Sequence, residues 1–243
     1  MESIYPVLSG ALAQEANLDI VANNLSNLNT TGFERDFPLF SSLDPMGASA
    51  TGSNGEKVVL PAFEMLDGVG TDYSPGVIKL TGEPLDVALN SGNFISVQTP
   101  AGVRYTRNGS FNLNGDGQIV TQAGYPVLGA SGPITLPQGK ITIDGDGRVS
   151  VDGAEIDTLQ VFQFSDPASL RKTEGTLIDA NGQTPVPSTD KKVQQGYLEG
   201  SNVNPVAEMV NMIRIMRVYE ASQKVIQSAN DMESLAANSL GKV

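Results

Sequence analysis

The sequence predicts an α+β fold in which N- and C-terminal helices, pairing as an antiparallel coiled coil, frame a central all-β domain reached through an extended linker. Three observations carry this expectation. Apolar residues recur at helical spacing at both ends, a Gly, Ser, Pro and Asp-rich stretch follows the first helical segment, and short apolar runs separated by turn residues fill the middle. The expected divisions are residues 1–29 for the N-terminal helix, 30–73 for the linker, 74–200 for the β domain and 201–243 for the C-terminal helix.

From Ser3 to about Asn29, Ile4, Leu8, Ala11, Glu15, Leu18, Ala22 and Leu25 alternate four-three spacing, and only Glu15 interrupts the apolar stripe. Ala11 and Ala22 allow close helix approach. Asn23, Asn24, Asn27 and Asn29 load the end with turn-formers, and Gly32 follows the expected stop. The linker from Thr30 to about Tyr73 is punctuated by Asp44-Pro45, Met46-Gly47 and Thr51-Gly52-Ser53-Asn54-Gly55. Phe33, Phe37, Leu39, Phe40, Val58, Val59, Leu60 and Phe63 are too apolar for a disordered tether, so parts of it are expected to lie on a neighbouring surface.

Between Pro75 and Gly196 an internal echo marks two hairpins. Phe111 to Ile119 and Ile141 to Val149 share alternating apolar residues around Asn-Gly-Asp-Gly and Asp-Gly-Asp-Gly, whose glycines supply the positive φ that tight turns require. After Gly200 the helical period returns, with Asn204 expected as N-cap and Pro205 at the first helical position. Val206, Val210 and Ile213 start one stripe, and Val218, Ala221, Val225, Ala229, Met232, Ala236 and Leu240 continue it. Glu220 and Lys224 stand at the spacing of a favourable ion pair. Met209, Met212, Ile215 and Met216 widen this face beyond a single seam. So much apolar surface on two helices at opposite ends of the chain needs partners, which points to an assembly.

Composition excludes several function classes. A formal net charge of −12, from 15 Lys plus Arg against 27 Asp plus Glu, argues against nucleic acid and anionic membrane surfaces as partners. No apolar run approaches the roughly 20 residues that span a bilayer. Without cysteine or histidine, thiolate and Ser-His-Asp chemistry are excluded, and so are Cys- or His-ligated metals. Glu2 and the lack of Lys or Arg before Arg35 do not suit a cleaved secretory signal. No catalytic residue, cofactor, metal or small-molecule substrate is expected.

The strongest chemical candidate is Asp144-Gly145-Asp146-Gly147, where Asp144, Asp146 and Glu155 fall at positions one, three and twelve of a calcium loop. Arg148 and Val149 stand where a ligand and the turn glycine are needed, so a hairpin is expected instead. Gly139-Lys140 lacks the hydroxyl residue and helix of a phosphate loop, and Gly68-Val69-Gly70 lacks the third glycine of a dinucleotide fold. A histidine-free alternative is a carboxylate-based cell-wall glycoside hydrolase using Asp116, Asp144, Asp146, Asp152 or Glu155. Each of these lies at or beside a Gly turn, where Asp is expected for backbone reasons. Tyr105, Phe111, Tyr125, Phe162 and Phe164 alternate with polar neighbours and are expected in a strand core.

Residues Ala22 to Phe33, ANNLSNLNTTGF, closely resemble the N-terminal signature of the flagellar rod and hook proteins. Leu80 to Leu89 with Arg104 to Phe111 resemble the central domain of the rod members. Leu198 to Val206 with Met209 to Ala221 resemble the C-terminal signature. Within the family the short centre, Gly124 to Gly129 and the ending Ala236 to Gly241 look most like the proximal rod members, with distal rod or short hook proteins as the alternative. Phe37 to Leu43 departs from the Tyr-ending motif of the distal rod. The resemblance implies a structural, non-enzymatic subunit. It would be exported unfolded by the flagellar type III apparatus without signal cleavage, and would assemble with its own copies and other rod subunits into a hollow, torque-transmitting rod crossing the periplasm. It also implies that Asn23, Asn24, Asn27, Thr30, Gly32, Phe33, Ser201, Asn202 and Asn204 are the motif residues. The assembly interface is expected at Ile4, Leu8, Ala11, Glu15, Leu18, Ala22, Leu25, Val206, Val210, Ile213, Val218, Ala221, Val225 and Met232, with Glu15 as a registry device in the seam.

Overall fold

Ile4 to Ser26 form the first helix, α1, and Pro205 to Leu240 the second, α2, with short strands between them. The structure is a computed structural model and describes residues 4–43, 50–51, 57–58, 63–90 and 92–240. The turn residues expected at 44–47 and 52–55, with Val59 and Leu60, lie outside the described residues. The chain divides into two compact units. Residues 1–25, 36–70 and 205–243 form one, which holds the helices; 26–35 and 71–204 form the other, the β unit.

Within the segment expected as an extended linker, Arg35–Leu43 and Phe63–Asp72 pair as a two-stranded sheet among the described residues. Gly70 leaves room for the Phe37 ring, which lies 2.7 Å from where a Cβ would stand. α1 stops at Ser26, earlier than Asn29, because Asn27 turns the chain: its carbonyl accepts from the Thr30 N–H at 3.2 Å and its side chain accepts from the Thr30 hydroxyl at 3.0 Å. Among the described residues no helix is long and apolar enough to cross a membrane.

The β unit centres on a six-stranded antiparallel sheet in the order Arg171–Lys172, Leu177–Asp179, Gly102–Thr106, Phe94–Thr99, Val161–Gln163, Val186–Pro187. Neighbouring residues in a strand face opposite ways, so Ile95 and Val97 enter one core with Val127, Val149 and Leu159. Phe94 enters another with Tyr105, Phe164 and Ile178. Ring contacts in the second core are edge-to-face, Tyr105 on Phe164 at 4.9 Å.

Both echo hairpins form, and their turns share the same side-chain-to-backbone bonds. The Oδ1 atoms of Asn114 and Asp144 each accept from backbone N–H groups two and four residues on, at 2.9 to 3.0 Å. Burial pushes the Asp144 carboxyl up, but the N–H and guanidinium of Arg148 and the N–H of Asp146 outweigh it and hold it below the ordinary aspartate range. A depressed carboxylate contributes stability above its unfolded pKa and loses it as pH falls through the folded value.

Candidate functional site: the Arg107 knot of the β unit and the exposed helix faces

The signature residues converge on a knot within the β unit, built around Arg107 at the end of Gly102–Thr106. Its side chain is 1% exposed. Nη2 donates to both carboxylate oxygens of Glu199 at 2.7 and 2.8 Å, Nε donates to Oε2 at 3.1 Å, and Glu34 lies 3.7 Å from Nε. Glu199 in turn accepts from the Gly76 N–H on Oε1 at 2.8 Å, and its carbonyl accepts from the Gly32 N–H at 2.8 Å. One guanidinium and one carboxylate thus hold three segments together: the loop after α1, the segment after Phe63–Asp72, and the strand before α2.

Asn202 fastens the same three from the other direction. Its Oδ1 accepts from the Arg35 N–H at 2.7 Å, and its Nδ2 donates to the carbonyls of Asp72 at 2.8 Å and Ser74 at 2.9 Å. Thr31 donates to Asn108 Oδ1 at 2.9 Å. Lys172 donates to the Glu34 carbonyl at 2.6 Å while lying 4.0 Å from the Phe33 ring centroid. Replacing Asn202 with alanine leaves a donor and two acceptors to find other partners, and is expected to cost about 1–3 kcal/mol by chemical denaturation.

Gly32 is required twice over. Its φ is +62°, and a Cβ there would stand 2.4 Å from the Asn108 nitrogen and 2.6 Å from the Arg107 carbonyl carbon. Because the obstructing atoms are backbone, Gly32→Ala is expected to destabilise the β unit by roughly 3 kcal/mol, read as a lower urea midpoint with an unchanged slope.

The structure gathers Thr30, Gly32, Phe33 and Asn202 at or beside this knot. Asn24 serves the helical unit instead: its Nδ2 donates to the Asp36 carbonyl at 2.7 Å and its Oδ1 accepts from the Asp36 N–H at 2.9 Å, fully buried. Asn23 and Asn204 are exposed, Asn27 is half-buried beside the turn, and the Ser201 hydroxyl accepts from the Val203 N–H at 3.3 Å. Arg107 and Glu199 were not singled out from sequence, though both lie inside the segments that carry the signature.

The helix faces divide into covered and open stripes. On α1, Ala13, Ile20, Val21 and Asn24 are buried and Asn17 is half-buried. Of the stripe expected from spacing, Ala11 is buried, Leu18 and Leu25 are half-buried, and Leu8, Glu15 and Ala22 are exposed. On α2 the covered stripe is Glu208, Met212, Ile215, Tyr219, Ser222 and Ile226, alternating four-three spacing, with Glu208 1% and Ile215 6% exposed. Val206, Val210, Ile213, Val218, Ala221, Val225 and Met232 are all exposed, Val206 at 69% and Met232 at 64%. Glu220 and Lys224, expected to pair, form no ion pair among the described residues.

The acidic candidates are engaged locally. Asp144 and Asp146 lie 2.8 and 3.3 Å from the Arg148 guanidinium, and Asp152 Oδ1 accepts from the Lys140 N–H at 3.0 Å. Asp116 sits on the other turn, and Glu155 is exposed on Ala154–Thr158. A cleft of about 250 Å³ beside Thr30 and Asn108 is lined, among the described residues, by a single carboxylate, Glu174, where glycoside hydrolysis uses a pair.

Three family descriptions match the chain: "Flagella basal body rod protein" over residues 4–33, "Flagellar hook protein FlgE/F/G D1 domain" over 88–151, and "Flagellar basal body rod FlgEFG protein C-terminal" over 194–240. Among relatives, the flagellar basal-body rod protein FlgF of Caulobacter vibrioides is 35% identical, with 99% of this chain and 98% of that protein covered. FlgF of Escherichia coli K12 is 35% identical over 94% of each. The rod protein FlgG of Buchnera aphidicola subsp. Schizaphis graminum is 33% identical, covering 95% of this chain and 96% of its own. Nothing in these likenesses supports a wall hydrolase.

Proposed function

The chain belongs to the flagellar basal-body rod family and is a structural rod subunit, not an enzyme; from that premise we propose how it is built into the rod. α1 and α2 pair as an antiparallel coiled coil, and neighbouring subunits cover the stripes that remain open, so that the helices line a hollow tube. The observation that carries this reading is the split of α2 into a covered stripe and an open apolar one. A monomer gains nothing from Val206, Val210, Ile213, Val218, Val225 and Met232 standing in water, whereas each is worth about 1.5–3 kcal/mol when fully buried by a neighbour.

The subunit is exported unfolded through the flagellar type III apparatus, without signal cleavage, and the rod crosses the periplasm. A chain without disulfides, whose helices gain their full burial only on assembly, suits that route. Leu80 to Leu89, Gly124 to Gly129 and Ala236 to Gly241 favour the proximal rod position over the distal one. The β unit transmits torque because its exits are fastened by Arg107, Glu199 and Asn202.

An epitope-tagged full chain, returned to flagellated cells deleted for it, is expected to co-purify with basal bodies and restore swimming. Recovery only in the soluble fraction, with swimming unrestored, would overturn the reading.

A further inference from the structure

The cleft of about 250 Å³ in the β unit has a fixed lining that leaves polar atoms unused. Three loops form it: Asn108 just past Gly102–Thr106, the turn from Thr121 to Tyr125, and the turn at Glu174 that leads into Leu177–Asp179. Both turns are closed by their own bonds. The Gly124 N–H donates to the Thr121 carbonyl at 2.9 Å, the Tyr125 N–H to the Thr121 hydroxyl oxygen at 3.1 Å, and the Leu177 N–H to the Glu174 carbonyl at 2.9 Å. A ligand entering here therefore has little loop ordering to drive.

The unused atoms are of both kinds. Asn108 Oδ1 accepts from the Thr31 hydroxyl at 2.9 Å and the Ser110 N–H at 3.0 Å, which fixes the amide and leaves Nδ2 as a donor with no hydrogen bond among the described residues. Gln122 Nε2 donates to the Ser110 hydroxyl oxygen at 3.1 Å, and its Oε1 remains an unused acceptor. Glu174 Oε2 lies 3.5 Å from the Tyr125 hydroxyl, and Oε1 is likewise unused. Among the described residues no Lys or Arg lines the cleft.

We propose that this cleft holds one uncharged pyranose unit of a glycan, binding it without cleaving it. An anion is disfavoured because Glu174 would face it with no cation in the lining, on a chain of net charge −12. An ammonium would meet Glu174 but has only N–H groups to offer, so it leaves Asn108 Nδ2 facing another donor. Sugar hydroxyls donate and accept at once and suit both, while Tyr125 and Leu177 supply carbon surface for the ring. The single carboxylate binds but lacks the second acid that hydrolysis uses. The site stands beside the rod reading and does not rest on it.

The test titrates the purified full-length chain, labelled with nitrogen-15, with chitotetraose and separately with cellotetraose, and follows backbone amide resonances. Saturable shifts are expected at Thr121 to Tyr125 and Glu174 to Leu177, with the Asp144 to Gly147 turn unmoved. Response to chitotetraose alone assigns an acetamido sugar, response to cellotetraose alone a plain hexose, and response to both the ring and hydroxyls they share. Gln122→Ala with Glu174→Ala is expected to weaken binding about tenfold or more. Both side chains are exposed, so circular dichroism of this variant should match the unaltered chain. Spermidine and inorganic phosphate, as cation and anion controls, should give no saturable shift at these positions. No response to either oligosaccharide, equal affinity in the doubly substituted chain, or saturable binding of spermidine or phosphate instead would each overturn the sugar site. None of these results touches the rod assignment, which the basal-body experiment decides separately.

Discussion

Arg107→Leu is expected to lower the stability of the β unit by about 3–5 kcal/mol, the cost of leaving the buried Glu199 carboxylate without its guanidinium. Glu199 is 4% exposed, so it cannot turn to water when the guanidinium is gone. Among the described residues Glu199 then retains only the Gly76 N–H as a side-chain partner. Arg107→Lys should recover only part of the loss, because an ammonium cannot make the forked contacts that Nε and Nη2 make together. Adding Glu199→Gln to Arg107→Leu should also recover part, since an amide costs less to bury than an uncompensated charge while still accepting from Gly76. Urea unfolding followed by circular dichroism measures all three. An unfolding free energy for Arg107→Leu within about 1 kcal/mol of the unaltered chain would show that the knot is not the organising contact of these segments.

Val210→Asp combined with Ile213→Asp should have the opposite profile: little change in the monomer and a severe loss of assembly. Both side chains are 52% exposed, so monomer stability should move by no more than about 0.5 kcal/mol. In the rod, each carboxylate would be driven into an apolar contact at a cost of several kcal/mol, enough to reduce incorporation about a hundredfold or more. Basal-body incorporation measured beside the thermal melt separates the two effects. Strong destabilisation of the isolated chain would mean that these residues serve the monomer's own core.

Much of this architecture could be read from residues alone where the signal was local. The four-three spacing placed both helices, and Asn-Gly and Asp-Gly placed the hairpins around Asn114 and Asp144, because periodicity and positive φ are properties of neighbouring residues. Gly32 stood out for the same reason. Which apolar stripe of α2 the monomer covers was not legible, since Met212, Ile215 and Ile226 repeat as regularly as Val218, Val225 and Met232 and only packing chooses between them. The Arg107–Glu199 pair spans 92 positions and leaves no periodic trace. In sequence Arg107 is one charge at the end of a strand, and it becomes the centre of the junction only when three distant segments meet there.

The central claim is that the open face of α2 is covered by other molecules. It is tested most directly by placing a photo-crosslinking residue at Val210 or Val225 of the full chain in swimming cells and identifying the captured protein. Covalent products with another copy of the chain or with another rod subunit, found in isolated basal bodies, are the predicted result. Products confined to a single chain, or none at either position, would contradict the account.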